Sequence, residues 1–462
     1  MSETKKTKHL NPYILVILSF VFIILIGTCL LCMPWARTDN QWGWNSFIDQ
    51  LFVSTSATCV TGLCTYADGI GAELTFGGQI VVMLMIQIGG LGFITVLTFV
   101  LTLFKRKLQF KDRFLLSQAV NSTSIADVAK FVRRIILISA IVETLGFLVG
   151  LPVFFTMYGD DPVKAVWNSL FMSVSAFNNA GFDLMGSTSL LRVATSPIST
   201  LPDWAYIYLL VYLMILIIAG GLSFLTIIEV FSFKKRPSQW RAFTKIILTM
   251  TLLLILLGFG GFLLSEHIIH NSGTTVLDVL FQSVTCRTAG FASFDQSSMT
   301  IVGKVLSCLL MFIGGAPLST AGGIKITTIY MIVLAMVSYL RGKRVSSFKR
   351  VYSSSMVVKA MSLVFIGLFA LIISILGIYG FENGKGLNSD EIMFEAFSAF
   401  GTTGLSCGIT TSIGIGSKII LILLMFMGRL GPMTFFQIFQ TSVTQEFKNE
   451  HYQYVEEDFL IG

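Results

Sequence analysis

The sequence predicts an all-α membrane protein: four pseudo-repeats of helix–pore loop–helix, with eight transmembrane helices around one central pore. Three observations carry that prediction. First, 54% of residues are hydrophobic and only 12% charged, against about 25% charged in a soluble domain. Second, four short segments are variants of one sentence. They read Ser56-Ala57-Thr58-Cys59-Val60-Thr61-Gly62-Leu63, Ser175-Ala176-Phe177-Asn178-Asn179-Ala180-Gly181-Phe182, Val284-Thr285-Cys286-Arg287-Thr288-Ala289-Gly290-Phe291 and Ser398-Ala399-Phe400-Gly401-Thr402-Thr403-Gly404-Leu405. Their glycines recur at intervals of 119, 109 and 114 residues. Third, long apolar runs bracket each segment. A length of 462 residues would suit three soluble domains, but the repeat and the runs override that prior.

The elements follow in order. Residues 12–34 form the first span; the run is too long for a signal-peptide core and lacks a clear small-residue cleavage site. The polar break and short segment 46–57 lead into the first glycine sentence, and 77–104 form the second span. The other pairs are about 128–156 with 206–233, 242–266 with 302–337, and 356–381 with 416–442. Each exceeds the roughly 20 residues that cross the hydrocarbon. The repeats divide the chain at 1–104, 105–235, 236–340 and 341–462.

The formal charge is +7, and its placement says more than its size. Basic clusters at Lys5/Lys6/Lys8, Lys105/Arg106/Lys107/Lys111/Arg113, Lys234/Lys235/Arg236/Arg241 and Arg341/Lys343/Arg344/Lys349/Arg350 lie at alternate ends of successive spans. That is the positive-inside pattern, with both termini cytoplasmic; it also argues against nucleic-acid binding. The loops at 105–113 and 341–350 are equally candidates for lipid or partner contact. Trp35, Trp42, Trp44, Trp167 and Trp204 fall near outer ends and Trp240 near an inner end, as an aromatic belt requires.

The short segments of about twelve residues cannot cross. A half-helix that enters and returns is tolerated only where protein buries it or water lines it. Its inward carboxyl end favours a cation. Backbone carbonyls around an axis are the chemistry of a cation filter. The candidate filter residues are Val60, Thr61 and Gly62; Asn179, Ala180 and Gly181; Thr288, Ala289 and Gly290; Thr402, Thr403 and Gly404. Three short segments carry an acid at a matching offset, Asp49, Asp278 and Glu391, where the second repeat has Asn168. These acids suit a helix amino end, an outer vestibule that concentrates cations, or both.

A second repeat follows the filters: Gly89-Gly90-Leu91-Gly92, Gly220-Gly221-Leu222-Ser223, Gly322-Gly323-Ile324-Lys325 and Gly428-Arg429-Leu430-Gly431-Pro432. Small residues let helices approach closely. Two departures exceed that reading. Gly314, Gly315, Ala316, Pro317, Leu318, Ser319, Thr320, Ala321, Gly322 and Gly323 cannot form a regular helix, yet apolar runs flank them. The helix therefore breaks at membrane depth, where free backbone must line a cavity, and a flexible gate is expected. Whether Gly314-Gly315 or Gly322-Gly323 matches Gly89-Gly90 is ambiguous. Arg429 is a mid-span charge, which usually faces a polar pathway; it would bond loop carbonyls or pair with Glu143.

No arginine-periodic voltage-sensor helix, P-loop or catalytic constellation is present in the sequence. Cys29-x-x-Cys32 and His267-x-x-His270 lack partner ligands for zinc, and the seven cysteines suggest no structural disulfide.

On the four glycine sentences, the break at Gly314–Gly323 and Gly428-Arg429-Leu430-Gly431-Pro432, the chain resembles the Ktr/Trk/HKT superfamily of potassium transporters over nearly its whole length. It looks most like the ion-translocating subunits of bacterial Ktr systems. Its first span begins at about residue 12, whereas Trk-type members usually carry an extra pair of spans first. The resemblance implies a potassium-channel-like fold and K+ bound at filter carbonyls of the glycines named above. It implies gating by Gly314–Gly323 with Arg429, a homodimer in the bacterial plasma membrane, and a cytosolic ring of nucleotide-binding regulatory subunits. It implies no cofactor in this chain, with nucleotide on the partner only. A serine at the first filter glycine is associated with sodium selectivity in plant relatives; Gly62 favours potassium. Sodium activation is seen in some Ktr systems, and these residues do not decide it. The alternatives are a sodium-permeable or poorly selective pathway of the same fold, a transporter with a midplane site between inverted repeats, and, least supported, an intramembrane enzyme.

Overall fold

A computed structural model describes residues 12–38, 44–92, 125–186, 189–192, 196–232, 237–270 and 274–431. The basic clusters at 5–8, 105–113 and 234–236, Trp42 and Pro432 lie outside the described residues.

Among the described residues the chain is helical apart from one two-stranded hairpin. α1 (Pro12–Leu31) descends to the break before α2 (Trp44–Cys59), the first short pore helix. A turn of helix, α3 (Ile70–Glu73), precedes α4 (Phe76–Leu91). The pattern then recurs as α5 (Ile125–Met157), α6 (Pro162–Phe177), α7 (Asp203–Gly221) and α8 (Phe224–Val230). The third series is α9 (Ala242–Phe262, continued as a π-helix to Ile269), α10 (Val276–Thr285), α11 (Ile301–Phe312) and α12 (Ile326–Leu340). The hairpin β1 (Ser346–Ser347) and β2 (Arg350–Val351) leads to α13 (Ser354–Phe381), α14 (Ser389–Gly401) and α15 (Ile415–Leu430).

Among the described residues four helical segments are long and apolar enough to span a membrane: Phe131–Met157, Asp203–Gly221, Ala242–Ile269 and Ser354–Phe381. The expected run 302–337 is instead two helices, α11 and α12, with extended and turn backbone between them. The run 206–233 also breaks, at Leu222 and Ser223. α4 and α15 end at Gly92 and Gly431, both at positive φ (81° and 82°). Thus the helix after each filter stops within two residues of Gly89-Gly90, Gly220-Gly221, Gly314-Gly315 or Gly428-Arg429, where glycine lowers helix propensity. The remainder of the runs 77–104 and 416–442 lies outside the described residues.

The outer helix ends are fixed by local chemistry. Thr275 and Asp278 form a capping box at α10, and Asn388 and Glu391 form another at α14. Asp161 caps α6 by accepting from Lys164 N at 3.0 Å. Each satisfies amide donors that a helix start leaves orphaned.

Among the described residues four apolar wedges lie between successive repeats, and a smaller cluster of Ile135, Phe177, Phe224 and Ile227 lies within the second. Leu31, Val82, Phe171 and Phe182 join the first to the second; Phe154, Leu213, Phe281 and Phe291 the second to the third. Phe262, Met311 and Phe394 join the third to the fourth, and Phe20, Phe52, Phe400 and Met425 the fourth to the first. The outward faces stay apolar and exposed, as at Ile215, Leu257, Phe365 and Leu376. That suits lipid, where shape-matched packing rather than escape from water holds helices together.

Candidate ion pathway

Each pore loop begins where its pore helix stops. The residue two before each common glycine is left-handed: Val60 (φ 58°), Asn179 (58°), Thr288 (73°) and Thr402 (49°). The glycine is left-handed too, at 100°, 69°, 84° and 94° for Gly62, Gly181, Gly290 and Gly404. The residue between them is not. Alternating hand turns successive carbonyls to one side of the chain. Left-handed backbone costs a side chain about 1–2 kcal/mol and persists only where its surroundings impose it.

The pore helices impose it. Thr61 N donates to Ser56 O (2.8 Å), Ala180 N to Ser175 O (2.8 Å), Ala289 N to Thr285 O (2.9 Å) and Thr403 N to Ser398 O (2.9 Å). Serine hydroxyls take the next donors: Ser56 Oγ accepts from Gly62 N (3.1 Å) and Ser398 Oγ from Gly404 N (3.1 Å). Ser175 Oγ accepts from Phe182 N at 3.0 Å, while Thr285 instead donates to Phe291 O at 2.8 Å. In every loop the amide before the common glycine is thus turned back onto its own pore helix.

The carbonyls meet in a ring. A Cβ on Gly62 would lie 2.6 Å from Ala180 O, and one on Gly181 2.6 Å from Ala289 O. One on Gly290 would lie 2.2 Å from Thr403 O, and one on Gly404 2.2 Å from Thr61 O. The contacts run through the four repeats in order and close on the first. None of these four carbonyls accepts a hydrogen bond among the described residues. The buried hydroxyls of Thr61, Thr288, Thr402 and Thr403 also lack partners. Buried oxygens of this kind need a donor or a cation.

On one side of the ring the four glycines line a cavity of about 570 Å³, with Asp183, Asp295 and Ser406 also in its wall. Asp183 accepts from Met185 N (2.9 Å) and Ser189 Oγ (2.6 Å), and burial pushes its carboxyl up from the ordinary value. Asp49, Asp278 and Glu391 do not line this cavity. Asp49 pairs with Lys418 at 2.6 Å, and the other two cap helices. Of the two sequence readings for Asp278 and Glu391 the helix-end one describes the contacts, because a carboxylate at N3 completes a capping box.

On the other side lies the break between α11 and α12. Its neck is closed by Gly314 N donating to Ile324 O (2.9 Å) and Ile324 N to Phe312 O (3.2 Å). Both glycine pairs therefore sit at one level, which removes the ambiguity of register. Between them the chain makes an excursion, with Leu318 at φ 57°. It docks on carbonyls that the neighbouring helix ends have freed. Ala316 N donates to Gly221 O (3.1 Å), Thr320 Oγ1 to Gly220 O (2.9 Å) and Gly323 N to Gly428 O (3.2 Å). Arg429 donates to Thr320 O, to Gly89 O and, at 3.1 Å, to Gly90 O. Thr320 Oγ1 also reaches Phe177 O at 3.2 Å, so the excursion abuts a pore helix. Glu143, the alternative partner for Arg429, is held by Gln87 (2.9 Å) and Asn178 (3.0 Å).

All twelve candidate filter residues thus come together, and all eleven candidate gating residues meet beside them. Sequence reasoning missed Lys325, whose Nζ donates to Ala321 O (2.7 Å) and Gly322 O (3.3 Å). A lysine directly after a glycine-rich break in an apolar run was the available signal.

A membrane-embedded ring of free carbonyls beside a docked backbone excursion defines an ion-conducting transport protein. The chain belongs to the TrkH cation transport protein family, whose model matches residues 3–451. It is 34% identical to the potassium/sodium uptake protein NtpJ of Enterococcus hirae, over 98% of both chains. It is 35% identical to the Ktr system potassium uptake protein B of Bacillus subtilis, over 96% of this chain and 95% of that one. The crystal structure of the potassium transporter TrkH from Vibrio parahaemolyticus shares the fold, with a TM-score of 0.69 at 18% identity, over 95% of this chain and 86% of that one.

Proposed function

We propose that this chain carries potassium into a bacterial cell through a selective, gated, channel-like pathway, as the membrane subunit of a Ktr-type uptake system. The observation that carries the reading is the closed ring of Thr61, Ala180, Ala289 and Thr403 carbonyls, none bonded to protein among the described residues. A potassium ion entering it exchanges hydration oxygens for carbonyl oxygens. In this reading Gly314–Gly323 is the gate, and Arg429 pins it shut by bonding both the excursion and the end of α4. The chain divides into pore repeats at 1–104, 105–235, 236–340 and 341–462. It works as a transporter rather than an enzyme, with K+ as substrate and no cofactor of its own. It sits in the plasma membrane with both termini cytoplasmic, as a homodimer on a cytosolic ring that binds the regulatory nucleotide, with sodium as an activator. Similarity to the Ktr system potassium uptake protein B of B. subtilis supports the Ktr-type reading.

A second reading, a sodium-permeable or poorly selective pathway, draws on the unequal side chains around the ring and on the similarity to a potassium/sodium uptake protein. One experiment separates them: potassium uptake by starved cells lacking their own systems, with the chain alone, with a regulatory partner, and with Gly62→Ser. Rescue at low potassium by the unmodified chain, with the variant shifted toward sodium, is the expected result. An unchanged K+/Na+ ratio in the variant overturns the filter assignment.

A further inference from the structure

The fourth residue of each helix after a filter reaches the pore helix of the next repeat. Gln79 of α4 accepts from Trp167 Nε1 of α6 at 2.7 Å. Tyr206 of α7 donates its hydroxyl to Asp278 Oδ1 of α10 at 2.8 Å. Lys304 of α11 pairs with Asp390 Oδ2 of α14 at 2.7 Å, and Lys418 of α15 with Asp49 Oδ1 of α2 at 2.6 Å. The four contacts pass from repeat to repeat and the last returns to the first, matching the order of the carbonyl ring. Their chemistry differs (amide to indole, phenol to carboxylate, two ammonium–carboxylate pairs), but their place does not. Gln79, Tyr206, Asp278 and Lys304 are each less than a tenth exposed. The lysines are largely covered, at 7% and 12% side-chain exposure. These are therefore not freely solvated surface pairs, whose worth is small.

We propose that Gln79, Tyr206, Lys304 and Lys418 are positioning residues that together set the width of the filter ring. The inference rests on reading that ring as the filter. In each loop the amide just before the common glycine is bonded to its own pore helix, so a pore helix that tilts carries its carbonyl with it. Each latch ties that helix to a neighbour, and ion discrimination depends on placing oxygens within about 0.5 Å. The role is distinct from packing: the apolar wedges hold the repeats together, whereas the latches fix where each pore helix stands.

The test is K+ and Na+ influx into proteoliposomes holding the full-length chain, with Gly62→Ser alongside. Tyr206→Phe deletes one oxygen, Lys418→Met one ammonium, and the exchange Asp49→Lys with Lys418→Asp restores the pair. Tyr206→Phe and Lys418→Met are expected to lower the K+/Na+ flux ratio about fivefold, the scale of one lost hydrogen bond, with potassium flux retained. The exchange should recover most of the Lys418→Met loss. An unchanged ratio in both single variants, with Gly62→Ser lowering it, overturns the latch and leaves the filter standing. An unchanged ratio in all three overturns both. An exchange no better than Lys418→Met removes the ionic latch. Should Lys418→Met fail to fold, Tyr206→Phe still decides the matter.

Discussion

At the residue scale, the pathway is made from backbone in costly conformations. Gly181 shows how little room the ring leaves, since an added methyl would stand 2.6 Å from Ala289 O at a backbone φ of 69°. Gly181→Ala should therefore cut potassium uptake by about a hundredfold, the effect of roughly 3 kcal/mol. Gly260→Ala, which meets nothing within 4 Å, should leave uptake unchanged. Radiotracer uptake at matched expression checks both. Asp183 in the cavity wall makes a pH prediction. Burial raises its pKa, so it loses its charge at a higher pH than an ordinary aspartate as the outside is acidified. The neutral form no longer concentrates cations. Acidification should then raise the KM for potassium at low ionic strength with little change in maximal rate, and Asp183→Asn should show that raised KM already at neutral pH. The glycine of each loop was legible in the sequence because repetition exposed it. The left-handed Val60, Thr288 and Thr402 were not, because β-branched residues argue against that conformation and only the pore-helix hydrogen bonds impose it. Asp183 and Asp295 were hidden for a related reason: they occupy different offsets from their glycines, so no repeat marks them.

At the element scale, the informative feature is that all four helices after the filters break, not one. The sequence showed the long break at Gly314–Gly323, where ten residues are visibly unsuited to a helix. The shorter breaks at Gly92, Leu222 and Gly431 were read as continuous spans, since apolar residues continue through them and small residues also suit helix contacts. Their purpose emerges only when the elements are assembled: the ends of α7 and α15 free carbonyls on which the excursion docks, and the end of α4 frees those that Arg429 takes. On the proposed reading of the excursion as the gate, removing its bonds releases it. Arg429→Ala deletes donors to Thr320, Gly89 and Gly90. Charge-assisted bonds are worth about 1.5–3 kcal/mol each, so the variant should raise potassium flux at least about tenfold in the absence of a regulatory partner. Deleting Pro317–Ala321 should act in the same direction. Lys325→Met, which frees Ala321 O and Gly322 O, should give a smaller increase. Liposome flux with and without partner measures all three, and a folded Arg429→Ala protein that conducts nothing overturns the gate.

At the scale of the whole molecule, the cyclic order of wedges, carbonyl contacts and latches makes one chain do the work of four subunits. That order was legible in the sequence from the glycine spacing alone, whereas the side-chain latches that enforce it were not, because each repeat uses a different residue. Joining the repeats in one chain lets each loop carry its own side chains, and lets only one repeat carry the long excursion. It also fixes a direction. The short pore helices and the cavity beside Asp183 lie at one end, and the hairpin at Ser346–Val351 with exposed Arg344 and Lys349 lies beyond α12 toward the other. The positive-inside rule predicts a cytoplasmic position for that basic hairpin. Ser298 and Ser346 are both exposed, and they belong to opposite ends of the third repeat. In right-side-out vesicles a membrane-impermeant thiol reagent should modify Ser298→Cys and spare Ser346→Cys until the vesicles are opened. Cys59, Cys286, Cys308 and Cys407 are buried, and replacing Cys29, Cys32 and Cys64, which are not, by serine removes the background. The reverse pattern would turn the molecule over, making the cavity cytoplasmic and the excursion an outer gate, and a potassium uptake pathway regulated from the cytosol would no longer fit the structure.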